Sequence, residues 1–267
     1  MMSNAKFRVI IPARMESNRL VDKMIVDIHG IPLIVRTALQ AKKSQAQSVV
    51  VALDNKKIAD ICSAHNIDWV LTSVNHSTGT DRLAEAVNLL GYHDDEYILN
   101  VQGDEPLIEP QLINNLAAFI IDKKTDVATI AHPIFTENEI FNPSIVKVVL
   151  DNNSNAMYFS RAPIPYYRDG FGELLDFNLK SGINFLRHIG MYAYSVAFLK
   201  NYHGMPVSLI EDVEKLEQLR IIFNGHRLAV QISDIIPEGG VDTIEDLQRV
   251  RQVIANLEIS GKYGLHK

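Results

Sequence analysis

Residues Phe7–Ala13 read FRVIIPA, a short and almost wholly apolar run that gives way at once to RMESNRLVDK at 14–23. A run of that length and apolarity suits a strand covered on both faces. Outward from it, strand and helix patterns alternate. Residues 31–43 place Leu33, Ile34, Ala38 and Leu39 at helical spacing, and the β-branched SVVVALD follows at 48–54. Residues 55–65 read as helix, 68–71 as a short strand, and 80–90 as a helix through Leu83, Ala84, Val87 and Leu90. EYILNV at 96–101 is a further strand and 110–123 a further helix. Near-continuous apolar strands separated by helices predict an α/β fold with a doubly wound, mostly parallel, Rossmann-like sheet.

The second half is less regular. Residues 127–131, 146–150, 190–194 and 227–232 read as strands, 208–223 as one helix and 243–257 as a closing helix. DNNSN at 151–155 is a turn signal, with AMYFS behind it as a hairpin return. No repeat, low-complexity stretch or charged tail is present. A boundary near Ile140 lacks linker composition, so residues 1–267 are read as one unit with an inserted β-containing subregion at about 133–205.

Composition narrows the classes. A hydrophobic share of 47% against 22% charged excludes disorder, and a net charge of -6 gives nucleic-acid binding no electrostatic support. A local basic pocket for a small anion stays open. Cys62 is the only cysteine, which rules out an internal disulfide and a cysteine zinc site and favours a buried inert thiol. No apolar run is long enough to span a membrane, and the N-terminus lacks a secretory core, so a cytoplasmic protein is expected.

In an open parallel sheet, ligands sit beyond the carboxyl ends of the strands. After the first strand come Arg14, Arg19 and Lys23, cations suited to phosphates, on a loop without the glycines or the Lys-Ser/Thr pair of a Walker A motif. A solvated basic loop is the plainer reading of that loop alone. HSTGTDR at 76–82 brings Ser77, Gly79 and Arg82, with Gly79 allowing close backbone approach and Thr80 as a helix cap. QGDEP at 102–106 supplies Gln102 and Asp104, and GGVDT at 239–243 supplies Asp242. Two such carboxylates opposite a basic loop are what a magnesium ion bridging to phosphate requires, although Asp242 could equally cap the last helix. Farther on stand Arg161, His188 and Tyr192, while Glu211, Glu214 and Gln218 share one face of the helix read at 208–223. That polar stripe reads most simply as solvent-facing, and His188 suits a core position as well as a ligand contact.

With these residues in hand, the chain resembles the CMP-Kdo synthetase (3-deoxy-manno-octulosonate cytidylyltransferase) family from Val9 to about Val253. The resemblance rests on IPAR with Arg19-Leu20 and Lys23, HSTGTDRLAE, NVQGDEPLI, NPSIVKVVLD, YFSRAPIPYYRD, NFLRHIGMYAY, EKLEQLR and GVDTIEDL. It implies transfer of CMP from CTP to the anomeric hydroxyl of Kdo, an eight-carbon acid sugar, with pyrophosphate released, as a step toward lipopolysaccharide. It further implies magnesium on Asp104 and Asp242 and phosphates on Arg14, Lys23 and Arg19. Ser77, Gly79 and Arg82 would lie by the cytidine; Gln102, Arg161, His188, Tyr192, Glu211 and Gln218 would surround the sugar, with Arg161 facing its carboxylate. A homodimer built on the second half is implied too, and the apolar residues of 162–167 and 171–185 could supply its surface.

Two departures stand out. The family's Arg-Leu-Pro-Gly-Lys-Pro-Leu reads Arg19-Leu20-Val21-Asp22-Lys23-Met24-Ile25 here, which alters loop stiffness and adds a negative charge, predicting weakened CTP binding. Ser77-Thr78 replaces the family's Gln-Ser before Gly-Thr. The same chemistry on a modified octulosonate such as the 8-amino analogue, or a nucleotide-binding paralogue with weak catalysis, are the competing readings.

Overall fold

FRVIIPA lies at the centre of the sheet, hydrogen-bonded on both edges, which is why the run has no polar face. The structure is a computed structural model describing residues 6–17, 19–168, 171 and 184–260. In chain order it runs β1 (Phe7–Ala13), a 3₁₀ turn (Lys23–Ile25), β2 (Asp27–Ile28), β3 (Ile31–Pro32), α1 (Leu33–Ala41), β4 (Val49–Leu53), α2 (Lys56–Ala64) and β5 (Asp68–Leu71). Then come α3 (Gly79–Leu89), β6 (Tyr97–Asn100), α4 (Pro110–Lys123), β7 (Val127–Pro133), α5 (Glu137–Phe141), β8 (Lys147–Leu150), β9 (Ala156–Ser160) and β10 (Leu186–Ser195). The chain closes with α6 (Val196–Tyr202), α7 (Leu209–Glu214), α8 (Gln218–Phe223), β11 (Ala229–Ile232) and α9 (Ile244–Ile259).

The main sheet has the order β11-β7-β10-β6-β1-β4-β5, with the β8–β9 hairpin attached through β10. Along that path β10 alone runs against its neighbours, antiparallel to both β6 and β7. Alternation along β1 feeds two cores. Val9 and Ile11 join Ile34, Val35, Ile58, Leu112 and Leu116 of α1, α2 and α4 on one face. Ile10 joins Leu83, Val87, Leu199 and Leu219 of α3, α6 and α8 on the other. Cys62 is wholly buried in the first core, and burial pushes its thiol up to about 11, so it is an inert core side chain. No described helix is long and apolar enough to cross a membrane.

Local chemistry sets the element ends. Asn55 caps α2 by accepting from the Lys57 N–H, Pro110 opens α4, and the Asp151 carboxylate gathers the Asn153 and Asn155 amides to turn DNNSN into the β8–β9 return. Three expectations need correcting. The helix read at 208–223 is two helices, because Lys215 takes a left-handed conformation at φ 53, and the break lets Leu216 bury. The strand read at 190–194 is the second half of a longer one, and α6 follows it directly, capped by the Ser195 hydroxyl. The cap of α3 is Thr78 and not Thr80, which is buried near the Tyr194 hydroxyl. Of the apolar stretch read at 171–185, residues 172–183 lie outside the described residues.

Candidate active site

Strand order reverses at β1, whose neighbours β4 and β6 lie on opposite sides, so the crevice beyond the carboxyl ends of β1 and β6 is the expected ligand position. A cleft of about 720 Å³ opens there. Among its lining residues are Arg14, Arg19, Lys23, Ser77, Gly79, Arg82, Gln102, Asp104 and Asp242, which the structure therefore brings together from four separate segments.

The first loop is pinned before it reaches the cleft. The Met15 N–H donates to Asp54 Oδ1 (3.0 Å), while Arg82 Nη2 donates to the other oxygen of Asp54 (2.9 Å). Arg82 Nη1 also reaches the Thr72 hydroxyl (2.6 Å), so this buried guanidinium joins the ends of β4 and β5 and forms a fixed part of the wall. Arg14 and Arg19 stay exposed at the rim. Asp22 sits at φ 53, the position where the family pattern has glycine, and the 3₁₀ turn after it swings Lys23 inward and Met24 into the core.

The floor is acidic. Gly103 passes so close to β1 that a Cβ there would stand 3.0 Å from the Pro12 carbonyl oxygen, which explains the glycine. Gly79, read from sequence as the position of close approach, would meet nothing nearer than the Pro12 ring at 3.7 Å. Asp104 follows Gly103, and the Val241 N–H donates to the Asp104 carbonyl (2.9 Å), which draws Asp242 alongside. Thr243 caps α9 in a capping box with Asp246, so the Asp242 carboxylate is not used for capping. Lys23 Nζ donates to Asp104 Oδ2 (2.5 Å) and Asp242 Oδ1 (3.0 Å), and Arg19 reaches the same Asp242 oxygen at 2.9 Å. Burial alone would lower the Lys23 pKa, but the two carboxylates outweigh it and raise it. Burial first, then the charges of Asp104 and Asp242, push the neighbouring Glu105 up to about 8.

A second lobe of about 300 Å³ shares Gly79, Gln102, Gly190 and Glu217 with the first. Because β10 runs backward, its early residues arrive at the carboxyl edge, so His188 and Tyr192 line this lobe together with Gln218. The Thr129 hydroxyl donates to the Met191 carbonyl (2.8 Å) and lies 2.9 Å from His188 Nε2. That leaves Nε2 carrying the imidazole hydrogen and Nδ1 as an acceptor. Burial pulls the His188 pKa down to about 3, so the ring is neutral, and burial pushes the Tyr192 phenol well up.

Two sugar-site candidates fall elsewhere. Arg161 lines neither lobe; its Nε donates to the Glu214 carbonyl (2.9 Å) and its Nη1 to that of Pro143 (3.0 Å). Glu211 is buried in a two-oxygen pair with Arg220 (2.6 to 3.1 Å), and Glu214 accepts from the Ser160 hydroxyl and the Arg161 amide. The break at Lys215 removes the common face on which Glu211, Glu214 and Gln218 were grouped. Glu217 is the residue sequence spacing missed. It borders both lobes, accepts from the Tyr202 hydroxyl at 3.0 Å, and burial holds its carboxyl above the ordinary value. Asn100 was missed as well: it lines the second lobe and is 2% exposed, yet its Oδ1 has no hydrogen-bond partner among the described residues. Both lie inside segments that carry the family resemblance, Asn100 in NVQGDEPLI and Glu217 in EKLEQLR, and that is the signal by which the sequence could have found them.

A family model described as cytidylyltransferase matches residues 8–232. The 3-deoxy-manno-octulosonate cytidylyltransferase of Neisseria meningitidis serogroup A / serotype 4A is 49% identical over 93% of this chain and 98% of its own. That of Francisella tularensis subsp. novicida is 46% identical over the same shares. Among solved structures, a CMP:2-keto-3-deoxy-manno-octonic acid synthetase complexed with CTP superposes with a TM-score of 0.85 at 35% identity, covering 94% of this chain and 99% of that one. A cytidylyltransferase from Leptospira borgpetersenii shares the fold at a TM-score of 0.60 and 15% identity.

Proposed function

The chain belongs to the cytidylyltransferase family, and we propose that its two-lobed cleft joins CMP to a 3-deoxy octulosonate. It transfers CMP from CTP to the anomeric hydroxyl of 3-deoxy-D-manno-octulosonate (Kdo), releasing pyrophosphate and forming CMP-Kdo. The observation that carries this reading is the shared wall of Gln102, Gly190 and Glu217. It lets a nucleotide in the lobe rimmed by Arg14 and Arg19 and a polyol acid in the lobe of His188 and Tyr192 meet at one boundary. Such a transfer needs placement and charge neutralisation more than covalent help.

In this reading Arg14, Arg19 and Lys23 take the phosphates, Ser77 and Gly79 flank the cytidine, and Arg82 braces that wall. Gln102, His188, Tyr192 and Gln218 orient the sugar, and the neutral His188 offers Nδ1 to a sugar hydroxyl. Magnesium would be held by Asp104 and Asp242. Among the described residues no set of three or more His, Cys, Asp or Glu is arranged to hold a metal ion, but magnesium uses one or two carboxylates alongside phosphate and water. The pair fits it: both groups are hard oxygen donors, and the Lys23 ammonium already bridges them as a monovalent stand-in. Bound there, magnesium would neutralise phosphate charge and lower the proton affinity of the attacking hydroxyl.

We place the reaction in the cytoplasm, where nucleoside triphosphates are made. We also read the chain as a homodimer, supported by the exposed side chains of Phe141 and Tyr166 packed on Phe171. Light scattering on the eluting protein tests the dimer.

The deciding experiment follows pyrophosphate release with CTP, Kdo and magnesium, alongside Asp104→Asn. Release that needs all three and collapses in the variant supports the reading. Release with an 8-substituted octulosonate alone moves it to that sugar. Absence of release with CTP still bound moves it to a nucleotide-binding paralogue.

A further inference from the structure

The Asp104–Asp242 pair already holds a cation, and it is the chain's own. Lys23 Nζ stands 2.5 Å from one carboxylate and 3.0 Å from the other. A magnesium-sized ion needs carboxylate oxygens at roughly 2.0–2.1 Å, so it competes with the ammonium for the same pair. The Lys23 side chain is 11% exposed and that of Asp104 24%, so water screens this contact weakly, while Asp242 at 43% is the wetter of the two partners. Released from the pair, the ammonium has no other carboxylate among the lining residues except Glu16 and Glu217, whereas Arg14 and Arg19 mark the same cleft as one made for anions. A triphosphate entering there supplies the missing partner.

We infer that Lys23 is an internal counter-ion that closes the Asp104–Asp242 site to divalent cations until nucleotide phosphates offer its ammonium a new partner. The inference rests on the metal reading above. It makes metal and nucleotide binding mutually reinforcing, and that coupling is reciprocal. Lys23 then has two successive partners, carboxylates in the free protein and phosphates in the complex. The 3₁₀ turn at Lys23–Ile25, anchored by buried Met24, keeps its backbone still while the flexible stem moves.

The test is Mn²⁺ binding followed by electron paramagnetic resonance, with and without CTP, on the wild type and on Lys23→Met, Lys23→Gln and Lys23→Arg. Without nucleotide, Lys23→Met and Lys23→Gln should bind Mn²⁺ at least about tenfold tighter than the wild type, and Lys23→Arg no tighter. Adding Asp104→Asn to Lys23→Met should remove the gain. CTP should tighten Mn²⁺ on the wild type and much less on Lys23→Met. As a check that does not use the resonance signal, Mg²⁺ alone should raise the melting temperature of Lys23→Met more than that of the wild type. Equal or weaker Mn²⁺ binding by the folded Met and Gln variants overturns the inference while leaving the metal reading standing. Failure of the wild type to bind Mn²⁺ even with CTP overturns both.

Discussion

A Cβ on Gly240 would stand 2.9 Å from the carbonyl oxygen of Asp104. That closeness is what allows the next residue, Val241, to hydrogen-bond the same oxygen and bring Asp242 to Lys23 from the far end of the chain.

Gly240→Ala should therefore separate the two carboxylates without unfolding the protein. We expect kcat/KM to fall by about 10²-fold, the usual consequence of misplacing a reacting group by roughly an ångström. The melting temperature should change little, since the clash sits in a loop beside the cleft. Unchanged kinetics would mean the loop relaxes freely and the Gly240–Asp104 contact does not set the site.

Asp22 combines a left-handed backbone with a negative charge beside the phosphate loop, where the family pattern has glycine. Asp22→Gly should relieve the strain, worth about 1–2 kcal/mol at most for an L-residue in that region, and tighten CTP several-fold by removing the charge. Calorimetry with Asp22→Asn as the charge-only control separates the two contributions. Identical CTP affinity in all three proteins would show that the altered loop costs no binding.

Asn100 Oδ1 is buried without a partner among the described residues at the wall of the second lobe. An acceptor left in that state suits a sugar hydroxyl. Asn100→Ala should raise KM for the sugar by about tenfold while leaving KM for CTP and the melting temperature nearly unchanged. A large loss of stability with no change in KM would assign the side chain to packing.

His188 is held neutral, its pKa drawn from 6.5 down to about 3 by burial. Its folded pKa is depressed, so below pH 6.5 the unfolded chain takes up a proton that the folded one refuses, and stability falls as pH falls. The ring borders an open lobe, so we discount the effect to about 1 kcal/mol between pH 6.5 and 5. Urea unfolding should show the wild type losing that much more than His188→Gln over the window, and parallel curves would refute it.

Much of this was legible in the amino-acid sequence because it is local. The apolar run Phe7–Ala13, the alternating helices behind it and the polar loops after each strand fixed a parallel α/β sheet and pointed to Arg14, Lys23, Asp104 and Asp242 at one edge. Strand periodicity and turn chemistry operate over a few residues, and a sheet of this class has one place for its ligands. What the tertiary structure alone decided depends on chain segments meeting from afar. The reversed direction of β10 put His188 and Tyr192 at the edge, and Lys215 broke a helix that contains no glycine or proline to announce it. That break sent Glu211 to Arg220, left Glu214 with Arg161, and turned Glu217 toward the cleft. A side chain's partner is chosen by the lowest-energy packing of the whole fold, and buried charges in particular go to whichever opposite charge that packing brings within reach.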